Sequence, residues 1–474
     1  MSVSSAEFKK EKAGDADIES LASRDVVVAA GGHLVDESGN AIQYRTCSWQ
    51  KTAALLFSEY ICLAILSFPW SFSVLGMVPG VIVTVAVAGS VQYTSLVLWR
   101  FCLAHPEIRD VCDIGQMLFG NAFGPRWARP AYNITSVFFI LNNTFIQGLH
   151  CLVGAKLLNT LTGNALCTVT FSAISAIICF LFSLPRPLAQ LSGLGTFSAA
   201  TMGLAVLFAI VFAGVQGKPN GYSVELGEPI VHMFAPPGTS YIAGMSAFLN
   251  ILYTFVGQIT LPSFIAEMKE PKDFPKALWA VTACEVVIFS VCGAVMYHYI
   301  GEQYMTAPAF GSLNAPYLKI AFSFAIPTIV FLGSLYSSVS ARFVFFRIFP
   351  ATSPHRTQNT LLGWTAWTGI LAATWVAAFI IAELIPFFSD MLSLMSSLFD
   401  GWFGFIFWAM AYLSLHPTKE ERWGTTRAKL ETSLNYVLIL CGIYTLVAGT
   451  YVSIESIIID SKGGKVFGCA SNGF

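Results

Sequence analysis

An all-α polytopic membrane protein with about 11 transmembrane helices is the fold class this sequence predicts, on three observations. Of its 474 residues, 55% are hydrophobic and only 11% are charged, against roughly 25% charged in a soluble domain. The apolar residues form continuous runs, and about 20 of them cross the roughly 30 Å of hydrocarbon in a bilayer. Lys and Arg collect in alternate connections, which is the bias of cytoplasmic loops. The short alternating segments of a transmembrane β-barrel are absent.

Residues 1–47 are polar and charged and carry no apolar signal-peptide core, so they read as a disordered cytosolic tail. Spans one to five follow at about 52–76, 78–101, 131–155, 164–184 and 189–215. Spans six to eleven fall at about 240–264, 276–299, 317–341, 362–386, 391–415 and 433–456. The remaining 457–474 form a short tail. With the N-terminus in the cytosol, 21 of the 26 basic residues fall inside, and only Lys156, Lys218, Lys319, Lys462 and Lys465 fall outside. The C-terminus is then extracellular.

The longest connections, Cys102 to Pro130 and Gln216 to Thr239, are too short for an accessory domain, so function must lie among the helices. Cys62, Cys151, Cys179, Cys284, Cys292 and Cys441 lie within spans, where cysteine packs as a small hydrophobe, and no disulfide framework is expected. Sequons at Asn133 and Asn142 fall in or beside span three, out of reach of glycosylation.

Only a broken helix presents free N–H and C=O groups to a ligand inside a membrane. Span one reads AALLFSEYICLAILSFPWSFSVLG, and Pro69 removes a backbone donor while disfavouring helix at Phe68. Span six carries Gly257 and Pro262 at comparable depth. Breaks five spans apart are what a repeat of five helices would give, although Pro and Gly are also common in membrane helices generally.

At these residues the chain resembles the amino acid/auxin permease family, within the amino acid, polyamine and organocation superfamily, and in particular its fungal neutral amino acid permeases. The segments that carry the likeness are EYICLAILSFPWSFSVLG at 59–76, HPEIRDVCDIGQMLFGNAFG at 105–124 and FVGQITLPSFIAEMKEPKDFPKAL at 255–278. The family's usual glycines around the first break look to be replaced by Cys62 and Ala64, which are still small.

The resemblance implies a five-plus-five inverted repeat with discontinuous helices one and six: repeat one at about 48–215, repeat two at about 240–415, and an extra helix at about 433–456. It also implies alternating access by rocking of a bundle against a scaffold. Substrate would be held by Ile61, Cys62, Ala64, Ile65, Phe255, Gly257, Gln258 and Asn143. Its carboxylate would meet free N–H groups between Cys62 and Leu66, and its amino group carbonyls between Phe255 and Gly257. Hydroxyls on helix eight form a sodium site with helix one in the superfamily, which makes Ser337 and Ser338 cation-site candidates. Small-residue packing is the plainer reading of that serine run.

Asn143, Gln147 and His150 share one face of span three, either lining a path or bonding between helices. His150 reads better as an interfacial residue at the outer end of its helix. Ser393, Ser396, Ser397 and Asp400 form a similar stripe on span ten. Glu59, Glu285 and Asp400 lie inside spans with no basic residue beside them, so each must be hydrogen-bonded, watered or protonated. Glu59, about one turn before the break, is the preferred proton-coupling candidate; a hydrogen bond to the unwound segment is the plainer alternative. Glu267, in the cluster that closes span six, is a lesser candidate for an inner gate.

An enzyme is not expected: there is no HExxH, no Gly-x-Gly-Asp and no catalytic or metal-binding constellation. No Walker A sequence supports a pump, and no re-entrant segment supports a channel. The expected function is secondary active import of neutral aliphatic or aromatic amino acids at the plasma membrane by proton symport. An organellar (vacuolar) carrier and an amino acid sensing transceptor are the alternatives. No cofactor is expected beyond the coupling ion, a proton or sodium. The expected partners are the amino acid and the lipid bilayer, without nucleic acid; the oligomeric state is open.

Overall fold

The computed structural model describes residues 26–28, 34–36, 47–108, 110–186, 192–350, 353–461 and 467–469. Within the N-terminal tail, Val26–Val28 and Leu34–Asp36 pair as a short antiparallel ribbon. Of the tail expected to be disordered, residues 1–47, only these six and the buried Cys47 are described, and the rest lies outside the described residues. From Trp49 onwards the chain is helical, and helices lie where the apolar runs place them. Among the described residues, eight helices are long and apolar enough to cross a membrane, and a bent pair, Trp49–Tyr60 with Leu63–Leu75, makes a ninth. Two shorter apolar helices, Thr168–Ser183 and Tyr241–Phe255, fall on the fourth and sixth expected spans.

Both expected breaks exist, but the first is displaced from the proline. The helix that starts at Trp49, capped by Ser48 accepting from the Lys51 N–H, ends at Tyr60. Ile61 and Cys62 are non-helical, a 3-10 turn covers Leu63–Ser67, and α-helix resumes at Phe68 with a bend of 47°. Pro69 sits in the first turn of the second half, where its missing N–H costs nothing. In span six the helix stops at Phe255, the chain turns through Val256–Thr260, and Leu261–Glu267 resumes with Pro262 again in the first turn. The start of the first broken helix and the end of the second are joined: the Cys47 N–H donates to the Glu267 carbonyl at 3.1 Å and the Lys269 N–H to the Cys47 carbonyl at 2.9 Å.

Span three, Ala128–Thr162, is the long central strut, packed against spans four, eight and nine. Span seven, Phe274–Ile300, packs along both halves of span one and along span two. The expected loop 102–130 contains a helix of its own, Val111–Phe123, capped by the Asp110 carboxylate and lying against spans three and ten. Spans ten and eleven each contain a wide π turn, at Ser396–Ile406 and Thr445–Gly449, and the two segments face each other. Glycine is needed there. A Cβ on Gly401 would lie 2.7 Å from the Gly442 carbonyl oxygen, and one on Gly442 would lie 2.6 Å from that of Gly401. Backbones approach this closely in membranes only through small residues.

One expectation about cysteines is corrected. Cys151, Cys179 and Cys292 are buried as small hydrophobes, but Cys167, at the start of span four, is bonded to Cys469 in the C-terminal tail. The partners are 302 residues apart in sequence. They meet only because span eleven returns the chain to the end of the molecule where spans three and four connect.

Candidate functional site

A small cavity lies beside the two breaks, lined by Glu59, Cys62, Leu63, Ala64, Ile146, Leu149, His150, Tyr253, Leu332 and Tyr336. Its volume is about 40 Å³, room for a few water molecules. Spans one, three, six and eight each supply part of its wall. Cys62 caps the 3-10 turn without a side-chain bond. The N–H groups of Leu63 and Ala64 are therefore in a first helical turn, which has no internal acceptors for them. On the facing side, span six ends at Phe255, leaving the carbonyls of its last turn without helical donors. One helix start and one helix end thus meet at the cavity, the arrangement that suits a carboxylate and an ammonium respectively.

Glu59 joins three spans. Its carboxylate accepts from Tyr336 of span eight at 2.8 Å and from Thr260 of span six at 3.3 Å. The single Thr260 hydroxyl proton is shared with the Gly257 carbonyl, 2.9 Å from the same oxygen, which holds the unwound segment against the carboxylate. The other two intramembrane acids border the same region. Glu285 acts electrostatically on Tyr60 and Cys62, and Asp400 on Tyr253. Both are at most 5% exposed, and Glu285 Oε1 and Asp400 Oδ2 have no hydrogen-bond partner among the described residues.

The other candidates distribute unevenly. Cys62 and Ala64 line the cavity, while Ile61 and Ile65 are buried in the turn behind it. Gly257 is pressed against Tyr60: a Cβ there would lie 2.4 Å from the phenol ring. Phe255 points away and packs with Phe68 and Phe289, at ring separations of 6.2 and 5.1 Å. Gln258 is turned to span two and donates to Thr94 at 3.0 Å. Asn143 is buried with both amide atoms unpartnered among the described residues, about one turn of helix before the lining residue Ile146. Ser337 lies 3.4 Å from Thr374 of span nine, and Ser338 donates to the Ser183 carbonyl of span four at 3.4 Å. These bonds run away from the break in span one, so the structure does not bring that serine pair to it.

Tyr336, Tyr60 and Thr260 are site residues that sequence reasoning passed over. Tyr336 directly precedes the serine pair, and only the rotation of span eight decides which of the three faces inward. His150 is not interfacial: it is 4% exposed and lines the cavity. Its Nδ1 lies 2.8 Å from the Ile146 carbonyl, and Nε2 has no partner. Around Glu267, the inner-gate candidate, Arg342 and Lys51 are the charged neighbours.

Residues 45–455 match the model of the family described as transmembrane amino acid transporter protein. The chain belongs to this family. It is 33% identical to the N amino acid transport system protein of Neurospora crassa, over 93% of each chain. It is 30% identical to a transmembrane transporter of Gibberella moniliformis, over 93% of this chain and 90% of that one. More distantly, it is 24% identical to the amino acid transporter AVT1J of Arabidopsis thaliana, over 86% and 91%. Among solved structures it is similar to Mhp1 in an inward-facing conformation, with a TM-score of 0.54 at 13% identity, covering 89% of this chain and 92% of that one. That likeness shows the fold, the LeuT type with discontinuous first and sixth helices. This transporter-family member is therefore a multi-pass membrane protein and not an enzyme, as its sequence leads one to expect.

Proposed function

We propose that this family member imports neutral aliphatic or aromatic amino acids by proton symport and alternating access at the plasma membrane, with a cytosolic N-terminus and an extracellular C-terminus. The observation that carries the reading is Glu59: a carboxyl in the wall of the cavity between the two breaks, hydrogen-bonded to spans six and eight at once. A proton on that carboxyl alters bonds to two helices of the cavity wall.

Neutral substrates are favoured by the lining. It has no Lys or Arg, and Leu63, Ile146, Leu149 and Leu332 supply apolar surface beside Tyr253 and Tyr336. The amino and carboxyl groups of such a substrate fit the free backbone groups of the two breaks. A proton is favoured over sodium because the hydroxyls of Ser337 and Ser338 are bonded to spans nine and four. The orientation is supported by the Cys167–Cys469 disulfide. It places both cysteines on the side that the basic-residue bias leaves outside, and disulfides persist on oxidising faces. The Neurospora relative's name, an amino acid transport system, agrees with the substrate class.

Counterflow in proteoliposomes loaded with unlabelled amino acid tests the substrate class. Radiolabelled leucine or phenylalanine should accumulate and arginine and glutamate should not; exchange of arginine or glutamate alone would reject the neutral reading.

A further inference from the structure

Span three and span eight, Ile326–Ile348, lie against each other in opposite directions, and a ladder of contacts fixes their register. A Cβ on Gly154 would lie 3.5 Å from Ile329 Cγ2, and one on Gly333 would lie 3.4 Å from His150 Cβ. Further along, the Phe139 and Phe343 rings are 4.9 Å apart, and Arg347 donates to the Ser136 hydroxyl at 2.8 Å. Helical periodicity then sets Gln147 level with Tyr336, and Asn143 level with Ser340, in the same seam.

The middle of this seam is polar and unsatisfied. Asn143, Gln147, His150 and Ser340 are at most 4% exposed. Among the described residues neither amide atom of Asn143 has a hydrogen-bond partner, nor has Gln147 Oε1, His150 Nε2 or the Ser340 hydroxyl. Polar side chains that glue membrane helices together bond across the contact. Here Gln147 donates to the Asn143 carbonyl at 3.2 Å and His150 Nδ1 lies 2.8 Å from that of Ile146, both within span three. Buried polar atoms left in such a row are met by water. One end of the row is at the central cavity, where His150 lines the wall and Tyr336 donates to Glu59. The other end, Asn143 with Ser340, lies about 10 Å along the helix toward the side proposed to be cytosolic. The Phe139–Phe343 ring pair closes the row there. Arg347 lies beyond it, over the Phe343 and Tyr132 rings, with Asp110 and Asp113 acting on the same tyrosine.

We propose that this seam is the route by which the coupled proton leaves Glu59 for the cytosol, through water held by Gln147, Asn143 and Ser340. At each step along the row one O–H bond breaks and one forms, so that Glu59 is left as a carboxylate and one proton is delivered inside. The ring pair shuts the route in this conformation, and release waits on the parting of the two rings. Gln147 and Ser340 lie outside the wall of the central cavity, so the proton's path is separable from the substrate's. The inference rests on the proton-coupling reading of Glu59 and assigns that proton its way out.

Two assays on the purified full-length protein in proteoliposomes test the proposal. Leucine counterflow at equal pH on both sides exchanges substrate without net proton release, whereas leucine uptake driven by an imposed pH gradient requires it. Gln147→Leu and Ser340→Val should keep counterflow within about twofold of wild type while gradient-driven uptake falls about tenfold or more. Ser340→Thr, which matches valine in shape and keeps the hydroxyl, should retain both activities. Equal losses of counterflow and driven uptake in Gln147→Leu and Ser340→Val, or wild-type driven uptake in both, overturn the route and leave the coupling role of Glu59 standing. Wild-type uptake that ignores the pH gradient removes proton coupling and the route together.

Discussion

Tyr336 of span eight donates a hydrogen bond of 2.8 Å to the carboxylate of Glu59 in span one, across the cavity that separates the two broken helices from the central strut. The bond ties a residue on an unbroken helix to the one acid in the cavity wall. Thr260 holds the other carboxylate oxygen and the Gly257 carbonyl. Span one, span six and span eight are therefore linked through a single titratable group.

If Glu59 carries the coupled proton, Glu59→Gln should flatten the dependence of uptake on external pH, because the amide cannot exchange a proton. Tyr336→Phe removes one hydrogen bond to a charged group, worth about 1.5–3 kcal/mol, and should displace the pH profile without flattening it. Initial rates of uptake from pH 4.5 to 8 check both variants. Profiles that superimpose on wild type would remove Glu59 from the coupling role.

Gly257 has no room for a side chain, with Tyr60 2.4 Å from the position of a Cβ. Gly257→Ala should already depress uptake by about tenfold, the effect of roughly 1.4 kcal/mol, and Gly257→Val should abolish binding. Surface biotinylation must show normal amounts of both variants for the result to bear on the site. Full uptake by the valine variant would place the substrate elsewhere.

The Cys167–Cys469 bond makes a prediction about topology. In intact cells a membrane-impermeant maleimide should label these two cysteines only after an impermeant reductant has been added, whichever other cysteines react. Labelling of Cys469 without reduction argues against the disulfide; labelling of neither after reduction argues that this end faces the cytosol.

Much of the fold was legible in the sequence because lipid leaves few choices: an uncharged run of about 20 apolar residues must be helical in a bilayer. In span six only Gly257 weakens helix at the break itself, because Pro262, like Pro69, is accommodated in a first turn. In span one the chain departs from helix at Ile61 and Cys62, which carry no such local signal, so it was the family resemblance and not Pro69 that pointed to the stretch Cys62 to Leu66. Which residue of span eight reaches Glu59 could not be read either. Tyr336, Ser337 and Ser338 are consecutive on a helix with no polar face to orient it, and tertiary packing turns the tyrosine inward and the serines toward spans four and nine. The joining of Cys167 to Cys469 depends on where span eleven ends in space, which no spacing encodes.

Proton-coupled import of a neutral amino acid is tested most directly by radiolabelled leucine uptake into permease-deficient yeast expressing this chain, at external pH 5 and 7.5, with and without sodium and a protonophore. Faster uptake at pH 5 that ignores sodium and collapses with the protonophore is the predicted result. Uptake that requires sodium and survives the protonophore, or no uptake despite protein at the cell surface, would contradict it.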